Sequence, residues 1–386
     1  MSKIKLGIIG IGNMGTNHVQ NILAGKTPDI TLSAIADRSP ERREFAQKNF
    51  PGIPLFEEGD AMITSGVCDS ILIAVPHYQH TELAIRAFEK GLHVLCEKPA
   101  GVYTLQVREM NAAAKKSGKT FGMMFNQRTD CVYRKMKEII SSGDMGAIKR
   151  VNWIITDWYR TRAYYDSGSW RATWDGEGGG VLLNQCPHNL DLLQWICGLP
   201  TRVRSFCHNG KWHDIEVEDD VTAYLEFENG ATGVFITTTG DLPGTNRLEI
   251  TLEMGKLICE GGKVTMHKLE QNERDFCLTA AGGFDKQPVE ITDVELDGEN
   301  PQHVGVLNAF AGNILRGTPL IADGQEGING LMLSNAIHLS SWLDATVDIP
   351  FDEELFLVEL NKRRATSKKK DVAAARVFDA TNSFGT

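Results

Sequence analysis

Two side chains in the sequence have the chemistry needed to move a proton to or from a hydroxyl group. Lys98 follows a short apolar run and is itself followed by a proline, which cannot continue a strand. His188 lies in the run 178–191, and a neutral imidazole is the commonest general base near pH 7. On a helix, Asn184, His188 and Asp191 share one face, so an amide, an imidazole and a carboxylate are presented together.

Both candidates have a structural alternative. Lys98 could form a surface ion pair with its neighbour Glu97, and a lone histidine on a helix is more often structural than catalytic. The functional interpretation is favoured because Lys98 is expected at the carboxyl end of an inner strand, where open α/β sheets bind ligands. Pro187 is expected to bend the helix that carries His188 or to mark its restart.

A glycine-rich turn directly after the first apolar run predicts dinucleotide binding. One glycine allows a tight turn, one lets the backbone approach a pyrophosphate, and one lets helix and strand pack closely. The helix that follows offers free N–H groups to phosphates. This glycine turn consists of Gly10, Ile11, Gly12, Asn13, Met14 and Gly15.

The second strand indicates which dinucleotide is bound. It ends in Asp37, close to the spacing expected for a carboxylate that binds the adenosine ribose. Asp37 favours NAD over NADP because it would repel a 2′-phosphate, whereas Arg38 beside it argues the other way. The cofactor is therefore predicted to be NAD.

Strands and helices alternate up to about residue 128, which predicts a parallel, doubly wound sheet. The carboxyl ends of its strands share one edge, and the dinucleotide is expected to stretch across that edge. For the two histidines there, a structural role is the favoured alternative. The strand-end residues predicted to contact the cofactor are Val75, Pro76, His77, His80, Glu97, Lys98 and Asn126.

After residue 128 the pattern changes to consecutive strands with few helices, which predicts an open, mostly antiparallel sheet. We therefore divide the chain into a nucleotide-binding domain, 1–128, and an α+β domain, 129–386. From about Ala365 the sequence lacks apolar periodicity and is expected to form an extended tail. The basic run 362–370 is interpreted as solvated.

Aromatic and arginine side chains are concentrated in the segment 158–174, the aromatic loop. Aromatic faces can cover the C–H faces of a sugar, and arginines can reach hydroxyls or phosphates. The alternative is a loop that packs itself down on the sheet. The residues predicted to bind substrate are Tyr159, Arg160, Trp174, Lys98, Asn184, His188 and Asp191.

Composition excludes several other classes of protein. The net charge of −10 argues against a nucleic-acid backbone as the main partner. No apolar run is long enough to span a bilayer, and the amino terminus lacks a signal-peptide pattern. Eight cysteines without a C-x-x-C pair fit a reducing cytoplasm, where we expect the protein. No metal site is predicted, since Cys186 and His188 lack the spaced partners of a zinc site.

Together these motifs resemble the glucose–fructose oxidoreductase / inositol dehydrogenase (Gfo/Idh/MocA) family over about residues 4–345. The resemblance implies an α/β Rossmann domain followed by an α+β domain whose open sheet often mediates homo-oligomers. It implies Lys98 and His188 at the reacting carbon, with Trp170 and Arg171 close to the cofactor. The motifs that carry it are the glycine turn, Glu97-Lys98-Pro99, Trp170-Arg171 and the run 178–191.

One position departs from part of that family. Polyol-oxidising members often carry an aspartate four residues before the histidine, where this sequence has Asn184. The Asn-Gln form looks like that of members that oxidise carbon 3 of nucleotide-sugars or glucosides. Asn184 cannot accept a proton as a carboxylate could, so His188 is the expected base.

The leading functional hypothesis is NAD-dependent oxidation of a secondary hydroxyl, at carbon 3, of a sugar or glycoside. One alternative is a redox-neutral enzyme that keeps NAD bound and forms a 3-oxo-glycoside transiently, allowing elimination. Another is an inositol or polyol dehydrogenase. A non-catalytic NAD-binding regulator is disfavoured because it would need neither Lys98 nor His188.

Overall fold

The first part of the chain is built on a six-stranded sheet in which every strand pair is parallel. The computed structural model describes residues 3–368 and residue 370. The strands are β1 (Ile4–Ile9), β2 (Ile30–Ala36), β3 (Leu55–Phe56), β4 (Ser70–Ile73), β5 (His93–Cys96) and β6 (Phe121–Met123). Their order, β3-β2-β1-β4-β5-β6, confirms the doubly wound sheet.

Helices connect these strands, and their ends follow local sequence rules. Ser39 accepts a hydrogen bond from Arg42 N and caps the second helix, in which Pro40 holds the first position. The fifth helix ends at Gly118, whose φ of 65° is left-handed. The helices are α1 (Asn13–Leu23), α2 (Pro40–Asn49), α3 (Gly59–Thr64), α4 (Gln79–Glu89) and α5 (Thr104–Ser117).

The second sheet has nine strands in the order β14-β13-β12-β11-β7-β10-β9-β8-β15. They are β7 (Ile148–Ile155), β8 (Arg202–Asn209), β9 (Glu218–Glu226), β10 (Thr232–Thr238), β11 (Asn246–Leu252), β12 (Gly255–Glu260), β13 (Lys263–Leu269), β14 (Val289–Asp293) and β15 (Val347–Asp348). Among its pairs, β7 with β10 is parallel and the others are antiparallel. The mostly antiparallel sheet is therefore confirmed.

One face of this sheet is buried by helices, with Trp153 and Phe235 completely enclosed. The other face carries exposed apolar side chains, among them Ile154, Phe206 and Tyr224. The helices of this part are α6 (Cys131–Ser142), α7 (Arg162–Tyr165), α8 (Pro187–Cys197), α9 (Glu273–Thr279), α10 (Gln302–Arg316), α11 (Gly327–Leu343) and α12 (Glu353–Ala365).

Helix α10 belongs to the predicted second domain by its position in the sequence, but it packs against the first sheet. Although it follows the second sheet in sequence, Val306, Leu307 and Phe310 pack in one core with Ile4 and Leu6 of β1. The first sheet is thus completed by a late helix, and the two parts of the chain share packing. In the described part of the chain, no helix is long and apolar enough to cross a membrane.

The run 178–191 differs from its prediction. Residues 181–186 form turns, and the helix α8 begins only at Pro187. A proline is well suited to the first helical position, where its missing N–H costs no hydrogen bond. Asn184 therefore lies before the helix, and the expected common helical face with His188 and Asp191 does not form.

The carboxyl-terminal region also differs in part. Helix α12, missed in the sequence, runs to Ala365 and carries the first residues of the basic run. Ser367 and Lys368, although Lys368 is exposed, are attached to the rest of the molecule by hydrogen bonds to Asp175 N and Glu216. The remainder of the predicted tail, 369 and 371–386, lies outside the described residues.

Candidate active site

The glycine turn has the close packing that its sequence predicts. Gly10 has a φ of +87°, and a Cβ there would meet the Ala74 carbonyl, while a Cβ on Gly15 would overlap Gly10 O. Gly12 faces open space, with nothing within 4 Å of an added Cβ. Helix α1 begins at Asn13 with no side-chain cap, so its first N–H groups are directed at that space. These features fit a pyrophosphate bound against the turn.

Asp37 is joined to the glycine turn by its carboxylate. Oδ2 accepts from Ile11 N at 2.8 Å and Oδ1 from Ser39 N at 2.9 Å. Arg38 points elsewhere and pairs with Glu58 at 2.8 Å on the surface. The carboxylate is therefore fixed beside the turn, whereas the neighbouring arginine is engaged outside it.

Arg42, which the sequence did not single out, braces the same turn. Its Nε donates to Ile11 O at 2.8 Å, and its terminal nitrogen donates to Thr16 Oγ1 at 2.8 Å. Burial lowers the pKa of Arg42. The only signal for this role in the sequence is that Arg42 is a basic residue at the third position of α2, the helix that follows Asp37.

The two histidines at the end of β4 are buried and hydrogen-bonded to main-chain carbonyls. His80 lies between Pro99 O and Val75 O, each 2.7 Å from a ring nitrogen. His77 Nδ1 lies 3.1 Å from Glu177 O. Burial lowers the pKa of both rings. Both therefore join the strand edge to neighbouring loops.

Glu97 is buried beneath the same edge and holds a negative charge. Its Oε1 lies 2.7 Å from Nε2 of His18, on α1. Burial alone would raise its pKa, but the hydrogen bond from His18 and the electrostatic interactions with His18, His303 and Lys98 hold the pKa at about 2. His18 and His303, whose rings meet edge to face 5.5 Å apart, were missed because only the fold brings them to Glu97.

Asn126 lies at the end of β6, as predicted, and is almost completely buried. Its Nδ2 donates to Gln302 Oε1, while its Oδ1 is enclosed without a hydrogen-bond partner in the described structure. An enclosed, unpaired amide oxygen at this edge is suited to accept a hydrogen bond from a carboxamide or hydroxyl of a ligand.

Lys98 follows β5, and its side chain extends from the first sheet to the turn before α8. Its Nζ donates to Asn184 O at 2.8 Å, and it forms no ion pair among the described residues. Burial, together with the charges of Arg171 and Arg160, lowers the pKa of Lys98, whereas Glu97 and Glu177 counteract this effect. An ammonium group has three donors, so two remain for a ligand.

His188 lies in the first turn of α8 and is 4% exposed, with the Phe125 ring 6.4 Å away. Its Nδ1 is enclosed without a hydrogen-bond partner in the described structure. Burial and the nearby charge of Lys98 hold the pKa of His188 well below 6.5. The imidazole is therefore neutral near pH 7 and able to accept a proton.

Asn184 lies at the centre of a side-chain network. Its Oδ1 accepts from Tyr164 Oη at 3.0 Å, and its Nδ2 donates to Glu177. Tyr164 Oη in turn accepts from Arg171 at 2.9 Å and from Gln185 at 3.1 Å. Glu177 was missed in the sequence because it lies between an aspartate-glycine pair and three glycines. Such a run predicts a turn and gives no sign of a buried carboxylate.

The aromatic loop is partly packed down, as its structural alternative predicted, with Trp158, Tyr165 and Trp174 buried. Trp158 is buried and donates to Asn189 Oδ1 at 3.1 Å, and Tyr165 is buried against Thr239. Trp174, predicted to bind substrate, is instead a core residue whose ring packs 5.9 Å from His338.

The parts of this loop left accessible lie around Arg171. Its guanidinium stacks between Trp170 at 4.5 Å and Tyr164 at 4.6 Å. Tyr159 is 39% exposed, and Arg160 lies over the Tyr164 ring at 5.2 Å. We call these rings and cations the rim, and the region between them and Lys98 the cleft, since the charges of Arg160 and Arg171 reach Lys98 and lower its pKa.

Asp191, also predicted to bind substrate, is occupied by an internal ion pair. Both its oxygens accept from Arg128 at 2.7 Å, and both side chains are at most 2% exposed. Arg128 also donates to Glu326 at 2.6 Å. A buried, fully paired carboxylate has no free oxygen for a substrate, so Asp191 anchors α8 instead.

Residues 364–368, the C-terminal strap, lie beside the end of the aromatic loop, against Asp175, Tyr78 and Glu216. Arg364 pairs with Asp175 at 3.1 Å and covers the Tyr78 ring at 4.7 Å. Ser367 Oγ donates to Glu216 at 2.7 Å, and Lys368 N donates to the same carboxylate. One ion pair, from Arg364, and two hydrogen bonds to Glu216 therefore hold the strap in place.

Two family models match most of the described chain. One, an oxidoreductase family with an NAD-binding Rossmann fold, matches residues 4–125. The other, the GFO/IDH/MocA C-terminal domain, matches residues 133–258.

Individual relatives agree with these models. Myo-inositol 2-dehydrogenase of Thermotoga maritima is 23% identical over 343 residues, covering 87% of this chain and 96% of that protein. D-glucoside 3-dehydrogenase of Escherichia coli is 24% identical over 59% of this chain and 68% of its own. The WlbA dehydrogenase of Bordetella pertussis, solved with NADH and UDP-GlcNAcA, aligns with a TM-score of 0.78 and 26% identity, over 91% of this chain and 99% of that one. The chain belongs to the GFO/IDH/MocA oxidoreductase family, and its first domain is that family's NAD-binding Rossmann domain.

Proposed function

We propose that this protein oxidises a secondary hydroxyl, at carbon 3, of a sugar or glycoside. The observation that carries this proposal is the proximity of two groups: Lys98, whose ammonium has two donors left after its bond to Asn184 O, and His188, a neutral and buried imidazole. Their charges interact, since Lys98 depresses the pKa of His188. One group can hold an oxygen while the other takes its proton.

His188 is the proposed base. It accepts the hydroxyl proton, which its depressed pKa allows at neutral pH. Lys98 donates to the same oxygen and stabilises the negative charge that develops as the proton leaves. NAD bound at the glycine turn supplies the hydride acceptor.

Asp37 is proposed to bind the adenosine ribose, and Asn126 the nicotinamide end. Asp37 is fixed beside the glycine turn, and its carboxylate would repel the extra phosphate of NADP. Asn126 presents an enclosed, unpaired oxygen at the carboxyl end of β6. The first sheet thus offers contacts for both ends of the dinucleotide along one edge.

The sugar class is supported by the rim and by the relatives. Tyr159, Tyr164 and Trp170 offer half-buried ring faces, while Arg160 and Arg171 offer donors to hydroxyls or to an anionic group. The E. coli relative is named for oxidation at position 3 of a glucoside. The solved WlbA complex holds a nucleotide-linked sugar acid.

We also propose that the protein forms homo-oligomers through the exposed face of its second sheet. Ile154, Phe206 and Tyr224 project from β7, β8 and β9 on that face. Exposed apolar side chains on a continuous sheet face favour association. Light scattering of the protein and of Phe206→Lys tests this: a smaller particle for the variant is expected.

A panel of glycosides, nucleotide-sugars and inositols tests the reaction. Each compound is incubated with enzyme and NAD while NADH is followed by absorbance. Products are then reduced with borodeuteride, and mass spectrometry locates the deuterium on the carbon that was oxidised. Deuterium at carbon 3 of a sugar, absent with His188→Ala, is the expected result.

Other outcomes of the panel separate the alternatives. Glycoside conversion without NADH accumulation supports a redox-neutral cycle with retained NAD. Oxidation of inositols alone supports a polyol dehydrogenase. Ligand-induced thermal stabilisation without turnover of any compound contradicts the catalytic proposal.

A further inference from the structure

Glu177 is a buried carboxylate at the centre of the candidate site, and the proposed reaction does not use it directly. It is 3% exposed and lies between the aromatic loop and the glycines that precede α8. Its Oε2 accepts from Ala172 N at 2.5 Å, and its Oε1 accepts from Nδ2 of Asn184. Its own carbonyl faces His77 Nδ1 at 3.1 Å. Three separate segments of the site therefore meet at this one residue.

The hydrogen bonds indicate that Glu177 is a carboxylate anion. Both of its oxygens face N–H donors, which leaves no acceptor for the proton of a neutral acid. The orientation of the Asn184 amide is fixed independently, because its Oδ1 faces the Tyr164 hydroxyl at 3.0 Å. Burial raises the pKa of Glu177, whereas the charge of Arg171 and these two bonds lower it.

Each hydrogen bond of Glu177 leads to a group of the proposed site. Ala172 has a φ of +54°, a left-handed conformation rare for a residue with a side chain, directly after Arg171. The bond to Ala172 N therefore stabilises the turn that presents Arg171. The bond to Asn184 fixes the residue whose carbonyl accepts from Lys98 at 2.8 Å.

Two other buried carboxylates lie nearby. Glu97 is bonded to His18 at 2.7 Å, and its charge also raises the pKa of Lys98. Glu218 accepts from Gly180 N at 2.8 Å and Leu182 N at 3.1 Å, and it faces His338. Glu177 is the carboxylate that is connected to Lys98 by hydrogen bonds, through the side chain and the carbonyl of Asn184.

We propose that Glu177 is a positioning residue, which orients Asn184 to hold the Lys98 ammonium and adds a second negative charge, beside that of Glu97, that favours protonated Lys98. The proposal rests on the role given above to Lys98. Without Glu177, Glu97 alone opposes the charges of Arg160 and Arg171, and Lys98 is the cation able to lose its proton. A neutral amine would stabilise an alkoxide less well than an ammonium.

The test compares Glu177→Gln with Glu218→Gln. Glutamine has nearly the shape of glutamate and can keep one accepted bond, so the substitution mainly removes charge. Glu218→Gln is the matched control, because it removes another buried carboxylate, one that accepts a hydrogen bond from Gly180 N in the glycine run after Glu177. The titration of Lys98 is measured by competitive labelling with acetic anhydride across a pH series, with mass spectrometry of the peptide that contains Lys98.

In Glu177→Gln the labelling midpoint of Lys98 is expected to move to lower pH than in the parent protein, and in Glu218→Gln it is expected to stay. Equal midpoints in all three proteins would overturn the proposal. Because labelling needs no sugar, this result stands even where the panel finds no substrate. With a substrate in hand, kcat of Glu177→Gln at neutral pH should fall roughly tenfold or more while the KM for NAD is unchanged.

A folding defect is handled by a second substitution. If Glu177→Gln unfolds because the Ala172 turn is no longer held, Ala172→Gly should restore folding, since glycine adopts a positive φ without strain. The labelling midpoint is then compared between Ala172→Gly and the double variant. A lower labelling midpoint in the double variant than in Ala172→Gly supports the role of the Glu177 charge. Identical midpoints in these two proteins refute that role.

Discussion

The two sides of the cleft are held together by different kinds of contact. On the side of the first sheet, the glycine turn is fixed by main-chain packing, and Asp37 is held by two main-chain N–H groups. On the other side, Asn184, Tyr164 and Glu177 are held by side-chain hydrogen bonds to one another. Replacement of one side chain should therefore disturb the second side more than the first.

The largest expected effect is on turnover. His188→Ala should lower kcat by about two to four orders of magnitude, the usual cost of removing a general base, while NAD still binds to the first side. Lys98→Met should also reduce kcat, because methionine offers no charge or donor. Steady-state kinetics together with NADH-binding fluorescence measures both. Near-full turnover of His188→Ala would make His188 structural and Lys98 the candidate base.

The same pair predicts a pH dependence. Oxidation should rise with pH through the ionisation of His188, whose pKa lies below the ordinary value of about 6.5 because burial and Lys98 disfavour imidazolium. This limb should vanish in His188→Ala and move upward in Lys98→Met. Since the unfolded chain binds protons that buried His188 does not, stability should fall as pH drops below about 6.5.

The next largest effect is on the free energy of unfolding, through the buried ion pair of Arg128 and Asp191 on the second side. Arg128→Met leaves the Asp191 carboxylate buried and unpaired, and loss of one partner of a buried ion pair costs about 3–5 kcal/mol. Chemical denaturation measures the free energy of unfolding. Arg134→Met is a suitable control, because its ion pair with Asp297 is exposed and should be worth at most about 1 kcal/mol. Equal losses in the two variants would contradict the buried role.

A smaller effect is expected on the first side. Asp37→Ser should weaken NAD binding by about tenfold or more, the value of a charged hydrogen bond, and should admit NADP. The glycine turn should stay folded, because main-chain packing holds it. Titration with both dinucleotides measures the effect. Equal affinity of the unmodified protein for NAD and NADP would contradict the assignment of Asp37.

The smallest effect concerns the C-terminal strap. Arg364→Gln removes a partly exposed ion pair with Asp175, worth at most about 1 kcal/mol. The KM for the sugar should rise modestly, with kcat and the KM for NAD unchanged. Arg316→Gln, which breaks a similar exposed pair with Asp29, is the control. A drop in kcat for Arg364→Gln alone would place the strap in the chemical step.

The sequence predicts the first side well because its signals are local. A glycine at a tight turn, an acid at a strand end and a proline after a strand each constrain the backbone directly. The parallel sheet, the order of its helices and the positions of Asp37 and Lys98 follow from such signals. The sequence could not show that a helix beyond residue 300 completes the core of the first sheet. Apolar periodicity indicates that a helix has a buried face but does not specify which element packs against that face.

The second side depends on contacts between residues far apart in sequence. Lys98 meets Asn184 across 86 positions, and His18 meets Glu97 across 79. Asp191 looked like a site residue because it carries a charge on the helix of His188, but its partner, Arg128, is 63 positions away. Trp174 looked accessible because loops usually are. In both cases burial decided the role, and burial is a property of the whole fold.

The C-terminal strap makes the order of the aromatic loop sensitive to dissolved ions. Its ion pair between Arg364 and Asp175 is partly exposed, and interactions between exposed charges are screened within about 8–10 Å at physiological ionic strength. The buried contacts around Glu177 are not screened in this way. Added salt should therefore loosen the rim of the cleft but not the buried residues around Glu177. Binding of the sugar should then depend on ionic strength more than the rate of its oxidation does.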